Sequence, residues 1–202
     1  MIERGPATED EMLAAFLRAE IDSPRYGNNF VRTGLGQLGL ERRIIDAPNL
    51  TDASENGARR RLMQYRGYEA RTALFTGFPL DVKWRRVELE DRDFETMQYI
   101  NDARTASPHW TRLSDGTRLV CVGARNFRQR LTDPATQQIA DMAQAFRNGR
   151  CFPELIAAEA EGGSLILIEG HSRATAYALE EPVLAVEVLV GSSPSMSGWY
   201  FY

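Results

Sequence analysis

Five consecutive residues, Glu169-Gly170-His171-Ser172-Arg173, place a carboxylate, an imidazole, a hydroxyl and a guanidinium on one short segment. The apolar run Leu165-Ile166-Leu167-Ile168 precedes them, and a stretch rich in small residues follows, so the segment reads as a strand feeding a helix. Gly170 permits a tight turn or a close backbone approach. The first amides of a helix have no intrahelical partner, and together with the helix dipole they favour an anion. Arg173 could add charge-assisted hydrogen bonds, and His171 and Ser172 could add an imidazole and a hydroxyl. Glu169 would repel a phosphate unless it binds a cation or takes a proton from an attacking group. An ordinary strand-to-helix junction, with Ser172 as cap and Arg173 in solvent, accounts equally well for the same residue types.

The elements that would position this turn are legible around it. Residues 154–160 read as a strand, Glu161-Gly162-Gly163 as a turn, 165–169 as the next strand, 172–179 as a helix and 183–190 as a last strand. Asp133-Pro134 signals a helix start, with Ile139, Met142 and Phe146 as its apolar stripe and Asn148-Gly149 as its end. Ser114-Asp115-Gly116-Thr117 reads as a hairpin turn between two strands, Trp110–Leu113 and Arg118–Val122. Earlier in the chain, Thr8 and Glu11 form a capping box for a helix running to about Glu20. The Gly- and Asn-rich segment 25–40 reads as loop, and a second helix spans about 52–67. A strand follows over 81–89, then a helix over 91–103 with Phe94, Met97 and Ile100 on one face. The expected class is α+β, a mixed α/β layer structure. The expected division is a mainly helical region of unassigned role at 1–105 and a phosphate-binding domain at 106–202.

Composition narrows the partners. Of 202 residues 43% are hydrophobic and 26% charged, enough apolar surface for a core. The net charge of −4 supplies no basic excess for non-specific nucleic-acid binding. The longest apolar runs are too short to span a bilayer, and the acidic start lacks the order of a secretory signal, so a cytoplasmic protein without a membrane partner is expected. Cys121 and Cys151 lack metal-type spacing and are expected to be buried free thiols, with no metal site of their own. Of 24 basic residues only Lys83 is lysine, a bias that a GC-rich bacterial genome explains.

The segment Gly149–Val190, GRCFPELIAAEAEGGSLILIEGHSRATAYALEEPVLAVEVLV, resembles the ParB/sulfiredoxin-like superfamily, whose hallmark is a strand, a G-x-x-R turn and a helix rich in small residues. Arg125–Gly149 extends the likeness, because Asn126-Phe127-Arg128-Gln129-Arg130 looks like the family's first motif, which ends in Arg before a helix. The first hundred residues lie outside it. The turn is G-E-R-R in ParB, where it holds the phosphates of CTP, and G-C-H-R in sulfiredoxin, whose cysteine is the nucleophile. It is D-G-H-H-R in the ParB-like free serine kinases, to which E-G-H-S-R is nearest. The resemblance implies a small sheet with short helices. It also implies phosphate or nucleotide binding by Gly170, His171, Ser172, Arg173 and Arg130, with Glu169 and His171 as catalytic groups and Mg²⁺ arriving with the nucleotide.

Departures from the pattern narrow what it implies. The position of the sulfiredoxin cysteine holds His171, so peroxiredoxin repair is not expected. No helix-turn-helix region follows Val190, so DNA is not expected as a partner. The serine kinases use a carboxylate near the first motif, where 125–130 holds only Arg, Asn, Phe and Gln; a base would have to come from Glu169 or from the N-terminal part. Other features have simpler readings: Arg59-Arg60-Arg61 as a solvated helix face, His109 as a structural loop residue, and the tail aromatics as packing on the core rather than on a base or a homodimer partner. Two functions stay open. One is a bacterial nucleotide-using enzyme that transfers a phosphoryl group to, or hydrolyses phosphate from, a small molecule. The other is a non-catalytic nucleotide-dependent regulator or nucleic-acid accessory protein.

Overall fold

The structure, a computed structural model, describes residues 1–23, 27–106, 108–129, 134–180 and 186–202. Arg130, the helix cap Asp133 and residues 183–185 of the expected last strand fall outside the described residues. Among the described residues five strands form one mixed sheet: β1 (Ile2–Ala7), β2 (Lys83–Leu89), β3 (Leu155–Glu159), β4 (Leu165–Glu169) and β5 (Val186–Ser192), in the order β1-β2-β5-β3-β4. Only β3 and β5 run parallel; the other neighbours are antiparallel. The class is therefore mixed α+β. The boundary expected at residue 105 is crossed by the sheet itself, because β2 pairs with β5 along its whole length, from Lys83 opposite Ser192 to Leu89 opposite Val186.

β3 and β4 are buried on both faces, which explains why they read as continuous apolar runs rather than as alternation. Ile156, Ala158, Ile166, Ile168 and Leu189 point into one core, shared with Met12, Phe16, Leu62 and Phe75 of the N-terminal region. Leu155, Ala157, Leu165, Leu167 and Val188 point into the other, shared with Phe94, Met97, Trp110, Val120 and Tyr177. The N-terminal helices thus form one outer layer of a three-layer structure.

That layer begins with α1 (Glu9–Glu20), which carries the expected capping box: Glu11 N donates to the Thr8 hydroxyl and Thr8 N to the Glu11 carboxylate. The segment read as loop is instead helical, as a π-helical turn over Gly27–Arg32, then α2 (Thr33–Leu38), ended by the left-handed Gly39. Val31 and Leu35 are buried in the core, so tertiary contacts hold a sequence of poor helix propensity. The short α3 (Arg43–Asp46) follows. Next comes α4 (Ala53–Gln64), capped by Asp52, which accepts from Ser54 N and Glu55 N. Its Arg59 is not on a solvated face. It is fully buried and donates to the carbonyls of Ile44 and Asn49, bracing the preceding loop, while Arg60 pairs with Glu9 and Asp10.

On the opposite face, α5 (Asp91–Thr96) stops seven residues earlier than its apolar spacing suggested. Residues 97–99 are extended and close the outer edge of β4: Gln98 N donates to Leu165 O and Leu167 N to Gln98 O. The expected hairpin is two helices, α6 (His109–Leu113) and α7 (Val120–Gln129), with the Asp115-Gly116 turn between them. The deciding group is Asp102, remote from the turn signal. Its carboxylate accepts from Trp110 N, Thr111 N and the Thr111 hydroxyl, satisfying the first turn of α6. The helix α8 (Pro134–Arg147) ends at the left-handed Gly149, and α9 (His171–Tyr177) follows β4. The tail docks on the core as expected: Trp199 is buried, packs edge-on against Phe78 and donates Nε1–H to Leu74 O. Both cysteines are free, but neither is buried; Cys151 is exposed in the loop after α8. Among the described residues no helix is long and apolar enough to cross a membrane.

Because Asp102 is buried and satisfies three donors at once, Asp102→Ala should lower unfolding free energy by about 2 kcal/mol, within the range for a lost cap and unmade buried hydrogen bonds. Chemical denaturation checks this; an unchanged midpoint would show that the cap does not hold α6.

Candidate functional site

The turn at the end of β4 is set by sterics before any ligand is considered. Gly170 adopts φ 99°, a left-handed conformation that side chains rarely take. A Cβ there would lie 2.5 Å from Leu155 Cδ2 and 3.0 Å from the Arg173 guanidinium. No side chain caps α9. Arg173 is buried rather than solvated, only 8% exposed: it donates to Pro153 O at 2.9 Å and to Glu169 Oε1 at 3.2 Å, so it binds the turn to the start of β3. Glu169 keeps 20% of its side chain accessible. Truncating Arg173 should therefore cost stability as well as any ligand contact.

His171 is buried in a ring cluster. Its imidazole lies nearly parallel to Trp110, with centroids 5.0 Å apart, and Trp110 stacks on Tyr99 at 4.9 Å. Ile100 N donates to His171 Nε2 over a long 3.5 Å contact. Tyr99 and Thr175 share a hydroxyl hydrogen bond at 2.7 Å, and Thr175 also donates to His171 O, locking α9 against the extended segment 97–99. A Cβ on Gly123 would lie 2.5 Å from the Tyr99 hydroxyl, so α7 packs tightly on the same ring. His109 meets the edge of Trp110, its ring centroid 4.7 Å away.

His171, Trp110 and His109 line a cavity of about 660 Å³. One wall is the β4–α9 turn: Glu169, Gly170, His171, Ser172 and Arg173. Opposite it stand Arg18, Glu20 and Asp22 from the end of α1, with Arg66 beside them. Trp110 and His109 from α6, and Arg150, Phe152 and Pro153 from the loop into β3, complete it. The structure thus brings Glu169, Gly170, His171, Ser172 and Arg173 into one concave site, the kind of place where ligands usually bind. A second cavity of about 570 Å³, lined by Asp81, Lys83, Glu159, Ser193 and Tyr202, lies at the other end of the sheet.

Sequence reasoning did not identify Arg18, Glu20, Arg66, Trp110 or Arg150 as neighbours of the turn. For Glu20 a signal existed: Leu13, Phe16, Leu17 and Glu20 share one helical stripe, so an acid occupies the apolar face of α1. The side chain is 1% exposed; Oε1 accepts from Arg66 Nε at 3.0 Å, and Oε2 is buried without a hydrogen-bond partner among the described residues. Burial pushes the Glu20 carboxyl up to about 8, against the attraction of Arg66 and with a further push from the charge of Glu169. Glu20 therefore keeps its proton at neutral pH.

Comparison with protein-family models, curated proteins and solved structures found no match for this chain.

Raising a carboxyl's folded-state pKa means that the native state holds the proton more tightly than the unfolded chain. The associated stability is fully present below the ordinary value of 4.5 and is lost as pH rises towards 8. The slope is at most about 1.4 kcal/mol per pH unit. Glu20→Gln should remove this slope, so the variant melts above the wild type at pH 8 and the gap closes at pH 5. Parallel melting curves across that range would contradict the assignment.

Proposed function

We propose that the cavity between α1 and the β4–α9 turn binds a phosphorylated small molecule of the nucleotide class, and that the protein transfers or hydrolyses its phosphoryl group. The observation that carries this reading is the convergence of four arginines, 18, 66, 150 and 173, with a carboxyl pair and an aromatic wall around one uncapped turn. Phosphoryl transfer demands mainly positioning and charge neutralisation, with a base for the attacking group. Arg18 and Arg150 are exposed at the cavity and suit the phosphates, while Arg173 and Gly170 shape the turn that receives them. Trp110 and Phe152 supply the aromatic part of the wall, with the Arg150 guanidinium over the Phe152 ring.

Glu169 is the candidate base, since it is partly accessible and oriented by Arg173. His171, stacked on Trp110, stands beside it and fixes the turn. The described residues form no group of three or more metal-ligating side chains, and one oxygen of Glu169 is committed to Arg173. No step is assigned to a resident metal; a divalent ion would arrive on the nucleotide's phosphates. Membership of the ParB/sulfiredoxin-like superfamily is part of the same proposal, resting on the E-G-H-S-R turn between a buried strand and α9. A non-catalytic nucleotide-dependent regulator is the rival.

Incubation with ATP, CTP and GTP in Mg²⁺, with affinity and phosphate release measured separately, tests the reading. Arg18→Ala and Arg150→Ala should each weaken nucleotide binding by about 1.5–3 kcal/mol, the scale of a hydrogen bond to a charged group, without lowering the melting temperature. Glu169→Gln should keep the affinity and lower turnover by roughly 10²-fold, the scale of a general base. Tight binding without turnover in the wild type would favour the regulator, and no binding of any of the three would remove the proposal.

A further inference from the structure

Ser172 is a hydroxyl in the cavity wall that the fold does not use. It stands in the first turn of α9 and is half-buried, yet it neither caps that helix nor bonds back to a carbonyl one turn earlier. Its side chain has no hydrogen-bond partner among the described residues. Neighbouring helices and turns treat their hydroxyls differently: Thr175 donates to His171 O, Ser114 to Trp110 O and Thr117 to Ser114 O. Ser172 instead faces the cavity. Its oxygen is accessible there, for unlike Glu20 Oε2 it is not one of the buried atoms left without a partner.

Glu169 precedes it by three residues, across the Gly170 reversal, and lines the same wall. Glu169 Oε1 accepts from Arg173, which leaves Oε2 for another proton. A hydroxyl, a carboxylate and a cation that orients the carboxylate are the parts of an activated nucleophile. Ser172 and Glu169 are not hydrogen-bonded to each other, and such contacts often close only when the substrate is in place. Charge neutralisation is available from other walls. Arg18 at the end of α1 and Arg150 in the loop into β3 are exposed at the cavity, and neither belongs to an ion pair of the described residues.

We propose that Ser172 is the first acceptor of the phosphoryl group and that turnover proceeds through a phosphoserine. This rests on the phosphoryl-transfer reading of the cavity and names the acceptor within it. Ser172 Oγ attacks the terminal phosphorus of the bound nucleotide; the Oγ–P bond forms, and the bond from that phosphorus to the bridging oxygen breaks. The nucleoside diphosphate leaves with the electron pair of that bond, and Glu169 takes the Oγ proton. Discharge runs the other way. Water attacks the phosphoserine phosphorus, the P–Oγ bond breaks, Glu169 returns its proton to Oγ, and phosphate leaves with the protons of the water. Arg18 and Arg150 offset the charge of the phosphoryl group in both steps.

The steric course at phosphorus tests this without requiring the intermediate to accumulate. The full chain is given whichever of ATP, CTP and GTP it hydrolyses fastest, made chiral at the terminal phosphorus, with Mg²⁺. Two in-line displacements retain configuration, whereas direct attack by water inverts it. Retention is expected. A single-turnover reaction stopped in acid should also leave one phosphoryl group on Ser172, located by peptide mass spectrometry. Ser172→Ala should lose the label and slow phosphate release by roughly 10²-fold or more, with nucleotide affinity and melting temperature unchanged. Inversion in the wild type, or a Ser172→Ala protein that releases phosphate at the wild-type rate, overturns the covalent step and leaves the phosphate-ester reading standing. A label on another residue overturns the choice of Ser172. Wild type that binds nucleotide but neither releases phosphate nor carries the label overturns the step in favour of the regulator. Wild type that binds none of the three nucleotides overturns both.

Discussion

Burial of β3 and β4 on both faces is the constraint from which the remaining architecture follows. Ile156 and Ile166 point into one layer while Leu155 and Leu167 point into the other, so neither β3 nor β4 has a side on which a polar group could sit. Polar chemistry is confined to strand ends, as in other layered α/β structures where ligands bind beyond the sheet's edge. Glu169 is the last residue of β4 and the first position at which the strand can present a charge. Gly170 then reverses the chain within a space too small for any Cβ, and Arg173 folds back beneath it. The turn is rigid because three independent contacts, with Leu155, Pro153 and Glu169, leave it one arrangement.

The N-terminal region acquires a purpose from the same constraint. A three-stranded fragment alone would expose the Ile156 and Ile166 face to water. The α1 helix covers that face and, at its end, delivers Arg18 and Glu20 to the cavity. The site is therefore composite: Arg18, Glu20, Asp22, Arg66 and Arg150 line it from outside the E-G-H-S-R motif, which supplies Glu169 and Arg173. Electrostatics then sorts these groups. Glu169 has an arginine at hydrogen-bond distance and some solvent, and Glu20 is surrounded by core. Burial raises the Glu20 carboxyl to about 8 although Arg66 lies within hydrogen-bond distance of it.

How much of this was legible in the sequence depended on whether the signal was local. The capping box at Thr8 and Glu11, the apolar runs of β3 and β4, and the glycine turn after Glu169 are fixed by neighbours in the chain, and the structure has each of them. Misread elements depended on remote partners. The hairpin expected around Asp115-Gly116 is a helix pair because Asp102 caps α6. The helix expected to continue to 103 stops at Thr96 because Gln98 has backbone partners on β4. Segment 27–38 is helical because Val31 and Leu35 are buried, not because its residues favour helix. For the site, the turn could be found from its motif, but its opposite wall could not, because Glu20 and Glu169 are separated by most of the chain. Arg59 shows the reverse case: an arginine in a basic run that resembled a surface patch proved to be an internal brace.

The central claim is that the β4–α9 turn and the end of α1 together receive a phosphate-bearing ligand. An amide-resolved NMR titration with ATP tests this most directly, because it locates the ligand without assuming turnover. The account predicts shifts that saturate together at Gly170, His171, Ser172 and Arg150, with Arg18 and Glu20 responding from across the cavity. Saturating shifts confined to the cavity at the other end of the sheet, around Lys83, Glu161 and Ser193, would contradict it.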